Sequence, residues 1–238
     1  MDGLSENLFG TLGSFALIAS IALRILSALL LCGALIFLNR RQEAGWWMAV
    51  ASYASTIPSV FLQLGTGRWS GPLTVIVFLI ISVIPAALGI AAGLYGRACF
   101  QKSALASSGT RNIRLRRFHP VHLVAPIGVA AVYGVGSMAS LFIYISALTQ
   151  SGVVQSFSFG VLFATGFLTG LAVGGLVALA HGSRWGWFLF VPAALVSLLG
   201  TAASAQGSVL IFLYLTQAVL AMFGCVAWGR LSKQKSNA

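Results

Sequence analysis

The sequence predicts an all-α integral membrane protein: a single transmembrane domain over 1–238, with seven transmembrane helices in a 3+1+3 parallel-repeat arrangement. Three observations predict it. The chain is 58% hydrophobic and 7% charged, with a mean hydropathy of +0.96, whereas soluble domains carry about 25% charged residues. The apolar residues form continuous runs rather than alternating ones, which selects helices over a closed barrel, the two structures that leave no backbone group unpaired in lipid. The only acidic residues, Asp2, Glu6 and Glu43, all lie outside those runs.

A helix needs roughly 20 apolar residues to cross the hydrocarbon core, and such runs lie at 15–38, 46–64, 72–95, 122–148, 157–180, 185–204 and 207–229. The first follows Asp2 and Glu6 rather than basic residues and is longer than a cleavable apolar core, so it reads as a retained helix. The second opens on Gly45-Trp46 and closes on Gln63-Leu64-Gly65, and the sixth opens on Gly186-Trp187 with Gln206-Gly207 beyond its end. Trp46 to Gln63 is 17 residues and Trp187 to Gln206 is 19. The third and seventh helices also end alike, on Leu94-Tyr95-Gly96-Arg97 and Ala227-Trp228-Gly229-Arg230.

These matches define a first three-helix repeat at 15–95, a basic linker plus central helix 4 at 96–148, and a second repeat at 157–230. One helix between two triplets restores direction, so the repeats are parallel. Transporters built this way hold substrate near the midplane, between the halves. In the fifth run, Gly166, Gly170 and Gly174 form a small-residue ridge for close helix approach, within the protomer or at a homo-oligomer face. Pro58, Pro85, Pro126 and Pro192 fall inside runs, where each can kink a helix.

The net charge of +11 invites a nucleic-acid reading, but its distribution points to membrane topology. Twelve of the 14 basic residues fall after runs 1, 3, 5 and 7; Arg68 alone lies on the other side and Arg24 within run 1. Short basic loops stay cytoplasmic. The prediction is a multi-pass protein of the cell (inner) membrane, N-terminus outside and C-terminus cytoplasmic, with anionic lipid at the basic face. Cys32, Cys99 and Cys225 fit neither a zinc site nor a disulfide framework.

Chemistry at membrane depth rests on few residues. Gln217 sits mid-run near Tyr214, and an amide in hydrocarbon costs several kcal/mol unless hydrogen-bonded. It must meet another helix or a substrate. Arg24 lies roughly ten residues, or about 15 Å, inside run 1. It has no intramembrane carboxylate, so its partners are carbonyls, hydroxyls, water, lipid phosphate or an anionic substrate. Trp46 and Trp187 are belt anchors or stacking surfaces for a flat ligand. Gln63 and Gln206 cap their helices or gate a site. His119, His122 and His181 gather no Cys, Asp or Glu around them, so no metal or other cofactor is expected. No nucleophile with an adjacent base is legible, which argues against an enzyme.

The runs Arg184-Trp185-Gly186-Trp187-Phe188-Leu189-Phe190, Gln206-Gly207 and Gly224-Cys225-Val226-Ala227-Trp228, with Gly93-Leu94-Tyr95-Gly96 in the first triplet, resemble the PnuC family of bacterial vitamin transporters. The resemblance covers some 60 residues of the 238. It implies seven helices in a 3+1+3 order related to SWEET sugar transporters, and facilitated diffusion of nicotinamide riboside, thiamine, riboflavin or deoxynucleosides. Two positions depart from the family: its tryptophan pair is here Trp187 and Phe190, and its asparagine is Ala194. Both bear on the substrate more than on the fold.

The expected function is therefore a facilitator for a small polar, heteroaromatic vitamin or nucleoside-like compound, by alternating access, with Gln217, Tyr214, Arg24, Trp46, Trp187, Gln63 and Gln206 as substrate-binding candidates. The competing reading is a non-transporting scaffold, assembly or partner-subunit protein. A seven-helix receptor or a retinal protein fits poorly. Neither Asp-Arg-Tyr nor Asn-Pro-x-x-Tyr occurs, and Lys233 and Lys235 lie beyond the last run.

Overall fold

A computed structural model of the chain describes residues 2–64, 72–106, 124, 126–136, 159–203 and 208–234. Every regular element among them is a helix: α1 (Asp2–Asn39), α2 (Ala44–Leu64), α3 (Pro72–Ala106), α4 (Pro126–Gly136), α5 (Phe159–Ala180), α6 (Trp185–Ala203) and α7 (Ser208–Gln234). Within them, Gly13–Asn39, Val83–Lys102 and Ser208–Trp228 are long and apolar enough to cross a bilayer.

Two boundaries depart from the hydropathy reading. The described part of α1 starts at Asp2 rather than near 15, so the polar residues before the apolar run are helical as well. α3 runs on to Ala106, so Arg97 and Lys102 are helical rather than part of a linker. On the helix Arg97 has a partner: its Nε donates to Glu43 Oε1 at 2.7 Å, and Gln101 Nε2, one turn on, donates to the same oxygen at 3.0 Å. Pro58, Pro85 and Pro192 lie inside helices, while Pro126 stands at the first residue of the continuous described stretch of α4.

The helices form a ring. α2 sits between α1 and α3, α6 sits between α5 and α7, and the two triplets meet along α1–α7 and α3–α5. α4 packs on α5, where Gly170 lies against Ala130 and Tyr133 and Gly174 against Pro126. Those two glycines of the ridge are thus occupied inside the protomer.

The turns of the hairpins α1–α2 and α5–α6 correspond position for position at an offset of 141. The Arg41, Gln42, Gly45 and Trp46 amides donate to the carbonyls of Leu38, Phe37, Gln42 and Glu43. Gly182, Ser183, Gly186 and Trp187 make the equivalent four bonds to Leu179, Ala178, Ser183 and Arg184. A Cβ on Gly45 would strike Leu38 and Ala34, and one on Gly186 would strike Leu179 and Gly175. The chemistry between the helices differs. In the first hairpin, Ser27 Oγ donates to Ser52 O at 2.9 Å and Ser52 Oγ to Ser27 O at 2.8 Å, with Ser59 Oγ on Ser20 O at 3.2 Å. Hydroxyls of this kind join helices where hydrophobic contrast is lost. The second hairpin has Leu168 and Ala193 where the first has Ser27 and Ser52.

The bundle is inside-out by soluble standards. Phe15, Ile18, Leu26 and Leu29 on α1, and Phe212, Leu215, Met222 and Phe223 on α7, are exposed, while Ser20, Ser52 and Gln217 are buried. An apolar surface on this scale is costly in water and costs nothing in lipid.

Candidate functional site

Three of the residues singled out by cost come together on the α1–α7 seam. Arg24 and Ala28 are one turn apart on α1, and Tyr214 and Gln217 are three apart on α7, so each pair shares a helix face. Gln217 is buried and its Nε2 donates to Ala28 O at 3.1 Å. Arg24 is partly buried one turn before Ala28, and Tyr214 packs against the cluster that contains Ala28. Cys32 Sγ, the next turn along α1, points at Leu213 O, 3.6 Å away. Ala28, Cys32, Leu210 and Leu213 pack around this line as a small core of their own. The seam therefore offers a guanidinium, a phenol and an amide in an apolar frame, a set suited to hydrogen-bonding a polar solute.

Trp46 and Trp187 are placed alike but not on that seam. Each lies on a glycine of the third helix of its own triplet, Trp46 on Gly96 and Trp187 on Gly224. Both rings belong to one continuous core at the turn end of the bundle, with Leu35, Leu38, Leu176, Leu179, Phe190 and Trp228. Their faces are taken up by protein. The side chain of Gln63, at the end of α2, and the whole of Gln206 lie outside the described residues.

The turn end also holds a group that the sequence reading counted only as a topology charge. Arg41 adopts φ 56° where its equivalent, Gly182, has φ 73°. A left-handed backbone is free for glycine and costs other residues about 1–2 kcal/mol. The Arg41 guanidinium lies 5.5 Å from the Trp228 ring centre on α7, so it bridges the two triplets. On the opposite side, Tyr95 Oη and His181 Nε2 meet at 3.2 Å, joining α3 to the other turn. Burial pushes the Arg41 pKa below its ordinary value. Aligning Gly45-Trp46 with Gly186-Trp187 puts Arg41 opposite a glycine, and that signal was available in the sequence. So was the serine pairing, since Ser20 and Ser27, like Ser52 and Ser59, are seven apart.

Among the described residues no group of three His, Cys, Asp or Glu gathers to hold a metal ion. No protein-family profile, curated protein or solved structure matches the chain.

Proposed function

We propose that the protein is a seven-span facilitator for a small polar, heteroaromatic compound, working by parting and closing of the seams between two three-helix repeats. The observation that carries this reading is the placement of Tyr214 and Gln217 against Ala28 on the α1–α7 seam, between the triplets, with Arg24 one turn away on α1. Polar side chains at depth in an apolar bundle are expensive and gather where a polar pathway runs. Hairpins matching at an offset of 141 support two bodies that move as units, and the resemblance to PnuC transporters supplies the substrate class. With the core continuous at the turn end, the described state is the one closed on that side.

The transport test uses proteoliposomes and radiolabelled nicotinamide riboside, thiamine, riboflavin and thymidine. One of them should equilibrate without accumulating, since no carboxylate lies within the apolar runs to couple it to protons. Uphill accumulation driven by a pH gradient would refute the facilitator mechanism.

A scaffold or partner-subunit function is favoured by one observation: the Gln217 amide is already satisfied by Ala28 O, as in a static helix contact. No flux of any compound, together with seam distances that never change by spin-label measurement, would decide for it.

The proposal places the turn end in the cytoplasm, facing anionic lipid. A cysteine at Ser107, in the basic linker, should then be protected from a membrane-impermeant maleimide in intact cells, and one at Gly152 should be labelled. The reverse pattern would invert the protein in the membrane.

A further inference from the structure

We infer that Arg41 and Trp228 form the core of an anion site at the turn end of the bundle, built for a phosphate-type oxyanion. Arginine occupies a left-handed position that its equivalent fills with glycine, so it stands there against the preference of the backbone. Arg41 Nε and Nη2 are buried and have no hydrogen-bond partner among the described residues, and the same holds for the indole Nε1 of Trp228 and of Trp187. Trp228 is 2% exposed and Trp187 is 0%. The three side chains form a continuous chain of contacts, with Arg41 5.5 Å from the Trp228 ring centre and the Trp187 and Trp228 rings edge to face at 5.8 Å. Asn39 Oδ1, two residues from Arg41, is also buried without a partner. Turning that amide over puts Nδ2 in its place and adds another donor.

Buried donors normally have acceptors, and among the described residues no carboxylate is placed to serve these. Of its three carboxylates, Glu43 is held by Arg97 and Gln101. Asp2 and Glu6 lie at the far end of α1, about 50 Å away at the helical rise. The linker 107–123 contains no acidic residue. An acceptor from outside fits better: a planar guanidinium and indole N–H groups match the oxygens of a phosphate. Arg40, Arg97, Lys102 and Arg184 lie in the turns or toward the same ends of the helices and raise the local concentration of anions. Phosphate oxygens reach this position from a lipid headgroup or from a free phosphate.

The test compares full-length wild type with Arg41→Gly, a change the turn accepts because Gly182 holds the same conformation, and with Arg41→Lys. Thermal unfolding is followed in detergent with inorganic phosphate, with sodium chloride at matched ionic strength, and in nanodiscs of phosphatidylglycerol or of phosphatidylcholine. Wild type should gain about 3 °C or more in phosphate over chloride, or in phosphatidylglycerol over phosphatidylcholine. The first result assigns a free phosphate and the second a lipid headgroup. Arg41→Gly should lose the gain while unfolding no lower than wild type without the anion, and Arg41→Lys should keep less than half of it. No gain for wild type in any medium, or the same gain in Arg41→Gly, would overturn the site and leave Arg41 as a latch on Trp228.

Discussion

Gly186→Val is expected to lower the midpoint of thermal unfolding by roughly 5–10 °C, from an overpacking cost of about 1–3 kcal/mol. A Cβ at this position would lie 2.6 Å from Gly175 O and 2.9 Å from Leu179 N, both backbone atoms of α5. No rotamer change relieves that contact, so α5 and α6 must move apart and the α5–α6 turn loses its hydrogen bonds. The equivalent change, Gly45→Val, should behave alike, since its Cβ would meet Leu38 N at 2.7 Å and Ala34 O at 3.0 Å. Gly128→Ala is the control. Nothing lies within 4 Å of its Cβ, and alanine is the better helix former by about 1 kcal/mol. Unfolding measured on purified protein in one detergent checks all three, and an unchanged midpoint for Gly186→Val would mean that the two helices are not held at backbone contact.

Much of the helical layout was legible because hydrocarbon is a strict solvent: continuous apolar runs marked the cores of the helices, and shared Gly-Trp pairs marked where α2 and α6 begin. Where a run ended, the sequence said less. α3 runs on past its apolar run to Ala106, and there Arg97 meets Glu43, more than 50 residues earlier, a contact no local pattern reveals. Cost arguments found Arg24, Tyr214 and Gln217 on a common seam, because a polar group at depth is conspicuous whatever its partner. They failed to assign Trp46 and Trp187. The equivalence of those two was visible, but the choice between ligand surface and core depended on Gly96 and Gly224, glycines of other helices among the chain's 27. Arg41 was hidden differently: one arginine in a basic turn looks like any other until its φ angle and its missing acceptors are seen together.

Bridging the α1–α7 seam should abolish transport reversibly, by at least ten-fold, in the compound that equilibrates into proteoliposomes. Native Cys32 already lies 3.6 Å from the carbonyl of residue 213, and Leu213 packs in the same cluster. Leu213→Cys, with Cys99 and Cys225 replaced by alanine, therefore puts two thiols into one cluster on facing helices, for bridging by oxidation or by Hg2+. Reduced, the variant should carry substrate at close to the wild-type rate. Oxidised or bridged by Hg2+, it should stop, because the triplets meet only along α1–α7 and α3–α5 among the described elements and one of those seams is then fixed. Dithiothreitol should restore flux. The control lies inside a triplet: Ser27→Cys with Ser52→Cys joins α1 to α2, which already exchange hydrogen bonds at 2.9 and 2.8 Å, and its oxidation should leave the rate unchanged if the triplet moves as one body. Flux that persists through a locked α1–α7 seam would rule out alternating access at this seam. Flux stopped equally by the Ser27–Ser52 bridge would show that the helices of a triplet must slide past one another for substrate to cross.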